Sequence, residues 1–134
     1  MATISKYYKK TITDALAALA PALKCALMLN THPYANAVSQ EHYADISANE
    51  CVGTGYTAGG IALTTPASSQ VGNNVKFTAA VATFTGVTIT PRYAVVYDPT
   101  TGHIVSQHDL LADRPCAGGT ITLTWHANGI LTVS

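Results

Sequence analysis

Gly119-Thr120-Ile121-Thr122-Leu123-Thr124-Trp125 is the stretch that decides the fold class. Ile121, Leu123 and Trp125 alternate with three threonines. Successive side chains of a strand point to opposite faces, so this segment has one apolar face and one polar, uncharged face. That is the pattern of a half-buried strand. Downstream, Asn128-Gly129 reads as a hairpin-type turn into Ile130-Leu131-Thr132-Val133. Upstream, Pro115-Cys116-Ala117-Gly118-Gly119 reads as a break.

Further out the β pattern repeats. His103 to His108 reads as a strand, entered from the turn Asp98-Pro99-Thr100-Thr101-Gly102. Val87 to Thr90 and Arg92 to Tyr97 read as a strand pair, with Pro91 as an edge, bulge or bend because it has no N–H for a ladder. Val75, Phe77 and Ala79 alternate with Lys76 and Thr78, and Gly72-Asn73-Asn74 turns the chain back from Ser69-Gln70-Val71. Ile61 to Thr65 is a further strand. Leu23 to Leu29 is almost wholly apolar and bounded by Pro21 and Asn30, so it reads as a core strand. Ile12, Leu16 and Leu19 fall near helical spacing, and Thr11 or Thr13 can cap a helix that Pro21 ends. Residues 30–50 read as a long connection with one short helical turn around Gln40 to Ala44. The sum is a mostly β chain: an antiparallel β-sandwich or barrel-like single domain over 11–134, with a short N-terminal α-helix, preceded by an arm over 1–10.

The chain has 134 residues, 48% of them hydrophobic and 10% charged, with a formal net charge of zero. Ordinary soluble domains are about 25% charged. A balanced, sparse charge gives no field for nucleic acid. The one local excess is Lys6, Lys9 and Lys10. Residues 12–29 are too short and too interrupted, by Asp14, Pro21 and Lys24, to span a membrane. The apolar, weakly charged composition points to a protein whose neighbours in an assembly cover much of its surface.

Motifs for chemistry are sparse. Three cysteines, Cys25, Cys51 and Cys116, have no metal-ligand spacing and read as reduced thiols. Five histidines, His32, His42, His103, His108 and His126, fit no zinc pattern. The bend Gly53 to Gly60 lacks the Lys and Ser/Thr of a phosphate loop and leads into a strand, not a helix. No Gly-x-Ser-x-Gly is present. Cys116 near His108 or His126 is the one nucleophile candidate. Asp109 and Asp113 suit a turn more than a carboxylate pair, and Arg92 and Asp98 suit ion-pair or capping roles. The reading is no enzyme, no cofactor and no metal. Of the seven tyrosines, Tyr7, Tyr8, Tyr34 and Tyr43, with Lys9 and Lys10, are the expected partner contacts. A tyrosine ring supplies contact area and its hydroxyl tolerates water.

Asn49-Glu50-Cys51-Val52-Gly53-Thr54-Gly55-Tyr56-Thr57-Ala58-Gly59-Gly60 resembles the NEVxGTGYTAGG signature of small virion structural proteins of tailed bacteriophages. Val81 to Phe84 with Val87 to Asp98, and Gly118 to Trp125 with Gly129 to Leu131, are similar to later stretches of that family. So are Leu23 to Leu29 and His42 to Ile46, and together the likeness covers residues 12–134. Cys51 and Phe84 stand where the family commonly has Val and Trp.

The resemblance implies a virion component, assembled in the host cytoplasm, with no catalytic residues to carry over. A capsid decoration or cement protein is the first expectation. It would be a dimer or trimer, bound to the major capsid protein or other virion proteins on the outer face of the head, without nucleic acid or membrane. A neck, tail or fibre-base component is the alternative within the structural class. A carbohydrate-binding adsorption module, using Tyr34, Tyr43 and Trp125, is the alternative outside it.

Overall fold

Strand β1, Lys24–Met28, carries four consecutive fully buried side chains, Cys25 to Met28. A strand is apolar along its whole length only when both of its faces are covered. Cys25 and Leu27 lie in the main core, and Ala26 and Met28 lie in a second, smaller one. This is a computed structural model, and it describes residues 10, 12, 14, 15, 18, 23–35, 40–127 and 129–133.

The remaining strands are β2 (Ile61–Ala62), β3 (Ala67–Val71), β4 (Asn74–Thr78), β5 (Ala82–Ile89), β6 (Tyr93–Tyr97), β7 (Ile104–Asp109), β8 (Cys116–Leu123) and β9 (Leu131–Val133). They form three antiparallel sheets, in the orders β2-β1-β6-β7, β3-β4-β9 and β5-β8. β6 repeats the logic of β1: Ala94 and Val96 face the main core, Val95 and Tyr97 the second. The main core draws Phe77 from β4, Phe84, Val87 and Ile89 from β5, and Leu123 from β8, so all three sheets share it. Each fully buried Leu, Val or Phe there contributes about 1.5–3 kcal/mol of transfer free energy.

The second core is closed by the connection after β1. Two 3₁₀ turns, Tyr43–Asp45 and Ser47–Asn49, flank Ile46, which is completely buried against Ala26, Met28, Val95 and Tyr97. This connection therefore serves as a lid on the outer face of the four-stranded sheet. Between Gln40 and Glu50, Ile46 is the one aliphatic residue larger than alanine, which is why the sequence there reads as an irregular loop.

Several sequence expectations need correction. Val87 to Thr90 and Arg92 to Tyr97 are not paired with each other: β5 pairs with β8 and β6 lies between β1 and β7. Buried Pro91 marks the bend where the chain passes from one sheet to another. Asn128 of the expected hairpin turn lies outside the described residues, and β9 does not pair with β8 but with β4, through Phe77↔Leu131. Cys116 to Gly119 is not a break but the start of β8, where register shifts opposite Thr85, Val87 and Thr88 absorb Gly118 at φ +68°. Ile61 to Thr65 contracts to a two-residue strand, with Thr65 at φ +44°. The β3–β4 hairpin holds, with Gly72-Asn73 as its loop and Val71↔Asn74 as the closing pair. The expected N-terminal helix falls largely outside the described residues. The described Lys10 and Asp14, four residues apart, form an ion pair.

Candidate functional site

The signature stretch folds around a buried carboxylate. Glu50 is 7% exposed. Its backbone lies against β1, with Cys51 N–H donating to the Leu27 carbonyl at 2.9 Å and Leu29 N–H to the Asn49 carbonyl at 2.8 Å. That register aims its side chain under the glycine loop. There Oε1 accepts the Tyr56 hydroxyl at 2.6 Å and the Gly59 N–H at 2.7 Å, and Oε2 accepts the Tyr43 hydroxyl. The Tyr56 hydroxyl in turn accepts the Leu27 N–H of β1 at 2.9 Å. Tyr97 donates to the Gly59 carbonyl at 2.8 Å, and its ring stacks on Tyr43 at 4.3 Å. A buried charge is tolerable only when its lone pairs are met in this way. Burial first, and the Glu50 carboxylate second, raise both the Tyr43 and Tyr56 hydroxyls, so both remain protonated donors.

Close backbone approach explains the glycines. A Cβ on Gly60 would lie 1.8 Å from the Cys25 carbonyl oxygen, and one on Gly53 would lie 2.0 Å from that of Thr88. The loop thus presses on β1 at one end and on β5 at the other, where Thr88 N–H donates to the Thr54 carbonyl at 2.9 Å. It ties the four-stranded sheet to the β5–β8 ribbon. The motif is a structural joint: the Glu50 carboxylate and the Tyr56 hydroxyl face inward, while Thr54 and Thr57 are exposed.

The expected contact residues separate into groups. Tyr7, Tyr8 and Lys9 lie outside the described residues. Lys10 is engaged by Asp14. Tyr34 is half-buried and stacks on Tyr93 at 5.0 Å with an interplanar angle of 12°. Tyr93 also carries the Arg92 guanidinium 5.3 Å from its ring centre. Tyr43 is committed to Glu50 and Tyr97, so its hydroxyl serves the interior. The sequence gives no sign of this, because the partners of Tyr43 come from two other segments, at Glu50 and Tyr97.

The outward surface is led by threonine. Thr83↔Thr122 and Thr85↔Thr120 are cross-strand pairs on the exposed face of the β5–β8 ribbon, and Thr88 lies further along it. Val52 is 91% exposed and Leu111 80% exposed. Beside the end of β7, a cleft of about 170 Å³ is lined by residues including His108, Asp109, Leu110, Trp125 and His126. A neighbouring one of about 360 Å³ shares Leu110, Leu123 and Thr124 and adds Arg114. The Trp125 N–H donates to the Ala80 carbonyl at 3.0 Å, which holds the indole half-buried at the rim.

Reactive groups are mostly in structural roles. Burial pushes the Cys25 and Cys51 thiols up to about 12, which leaves them protonated and inert. Ser106 and His108, two apart on one face of β7, share a hydrogen bond of 2.9 Å that sequence reading missed. The adjacent Asp109 carboxylate does not orient that histidine, because it holds Arg92 through a two-point ion pair at 3.0 and 3.3 Å and accepts the Leu111 N–H. Asp98 caps its own turn through Thr100 N–H and Thr101 Oγ1. Asp113 accepts from the Asn30 side chain at 3.2 Å. Among the described residues no group of three or more His, Cys, Asp or Glu is placed to hold a metal ion, and no helix is long and apolar enough to cross a membrane.

Comparison with protein-family models, with curated proteins and with solved structures finds no match for this chain.

Proposed function

We propose that this protein is a structural component of a tailed-phage particle, a decoration or cement protein that binds the outer surface of the head and stabilises it. The observation that carries the reading is the Glu50 joint. The residues that resemble the virion signature are those that the fold uses to lock two sheets together, so the resemblance rests on a packed structural unit. Low charge and the threonine-lined ribbon favour the same role, since uncharged faces lose little on desolvation against a neighbour. We read the three sheets and their common core as a sandwich-like scaffold, which would hold contact segments rigidly against the shell. A dimer or trimer matches the local symmetry where capsomers meet. Many equivalent weak contacts on one particle add up through multivalency. A neck, tail or fibre-base position is the alternative within this class.

The test is re-addition. Purified protein mixed with heads that lack it should co-sediment to saturation and raise the temperature at which they release DNA. Saturable binding to tails with none to heads would move the assignment to the tail.

The cleft beside Trp125, His108 and Asp109 favours a second reading, a carbohydrate-binding adsorption module. The cleft of about 170 Å³ falls below the roughly 300–1,000 Å³ of ordinary small-molecule pockets and its neighbour of about 360 Å³ lies near the lower end, so a single small sugar is the ligand that would fit. A glycan array with no bound sugar would dispose of it.

A further inference from the structure

Besides the packing of Ile46 and Tyr43 on β6, the lid over the second core is joined to the β6–β7 hairpin by a backbone bridge between His42 and His103. Tyr43 N–H donates to the Gly102 carbonyl at 2.8 Å, and Ile104 N–H donates to the Glu41 carbonyl at 2.8 Å. These bonds flank the bridge and leave the two histidines as a non-hydrogen-bonded antiparallel pair. In that geometry opposing side chains project from the same face at their closest spacing, with Cα atoms about 4.5 Å apart. The two imidazole rings are 4.7 Å apart between centroids, and both residues are exposed. Two neutral imidazoles held side by side on paired strands form a chelate, and imidazole suits nickel, copper and zinc. The Asp45 carboxylate, which accepts the His42 backbone N–H at 3.2 Å, lies close by and favours a cation.

We propose that His42 and His103 form a two-histidine site for a divalent first-row transition ion, with water completing its coordination. The ion clips the lid, and with it the Tyr43 end of the Glu50 network, to the β6–β7 hairpin. Binding to the folded state alone stabilises that state by mass action. This inference is independent of the proposed role on a phage head.

The test is thermal unfolding of the untagged full chain with and without excess NiCl₂ or ZnCl₂, followed by EDTA. The expected result is a rise in Tm of a few degrees that EDTA reverses. His42→Ala and His103→Ala should each lose most of that rise, while His126→Ala keeps it. A second readout needs no variant: substoichiometric Ni²⁺ should broaden the amide NMR signals of residues 41–43 and 102–104 before any others. No metal-dependent rise, a rise that survives both variants, or broadening centred elsewhere would overturn the site.

Discussion

The Tyr56 hydroxyl stands between the Glu50 carboxylate, to which it donates at 2.6 Å, and the Leu27 N–H, from which it accepts at 2.9 Å. One side chain from the glycine loop thereby connects a buried charge to the backbone of the central strand. The backbone of β1 is satisfied by a tyrosine where the two-residue strand β2 has already ended, since β2 reaches only Lys24 and Cys25.

Breaking this relay should be expensive. Glu50→Ala leaves two hydroxyls and an N–H without their acceptor and opens space, so we expect a loss of about 3–5 kcal/mol. Tyr56→Phe removes one donor and strands the Leu27 N–H, for about 1–3 kcal/mol. Urea unfolding measures both. The midpoint should fall while the slope m stays constant, because the folded surface is unchanged.

Two glycines with positive φ should behave differently. Gly60, at φ +74°, has the Cys25 carbonyl where a Cβ would be, whereas Gly72, at φ +62°, has open space. Gly72→Ala should cost about 1 kcal/mol, the strain of the left-handed backbone alone. Gly60→Ala adds a clash with backbone that cannot yield without separating the loop from β1. It should cost several times more, or prevent folding, as read by circular dichroism and Tm.

Acid should weaken the fold in a window set by two histidines. Burial lowers both His32 and His108 from the ordinary value of 6.5. His32 is 3% exposed, its Nε2 is 2.6 Å from Gln107 Oε1, and its Nδ1 has no hydrogen-bond partner among the described residues. When the folded value lies below the unfolded one, the unfolded chain binds more protons between the two values. Stability is then full above about pH 6.5 and is lost as pH falls from there toward the folded values. Urea midpoints should drop between pH 7.5 and 5.5, and His108→Gln should flatten part of that slope. Asp109, held low by Arg92, adds a separate loss that begins only below the ordinary carboxylate value of 3.8.

Thiol reactivity should sort the three cysteines. Cys25 is fully buried and Cys51 is 2% exposed, while Cys116 is half-buried at the start of β8. A colorimetric thiol reagent should modify at most one cysteine in the native protein, Cys116, and all three in guanidinium. Two or more fast-reacting thiols in the native state would contradict the packing described.

Much of the fold was legible because burial writes itself into period two. The alternation of Val75 and Phe77, and of Ile121 and Leu123, gave β4 and β8, the apolar run of β1 announced a core strand, and that of β6 announced a strand. Partner choice was not legible, since periodicity says which face is buried and nothing about which strand lies alongside. Hence Pro91 read as an edge, bulge or bend of a strand pair when it separates two sheets, and Asn128-Gly129 read as a hairpin turn when the following strand, β9, pairs with β4. The Glu50 site was hidden for a related reason. Its ligands come from both sides of it in the chain, and a lone Glu among glycines carries no periodicity. Tyr43 illustrates the limit, since an exposed-looking tyrosine in a polar stretch is a hydrogen-bond donor to the interior. The His42–His103 pair was equally invisible, because only the bridge between the lid and the hairpin brings the two together.

The most direct test of the proposed virion role is the copy number of this protein in purified particles, measured by quantitative mass spectrometry against the major capsid protein. A decoration or cement role predicts one copy per capsid subunit or a simple fraction of that. A few dozen copies or fewer would place the protein at the neck, tail or fibre base, and its absence from the particle would contradict the account altogether.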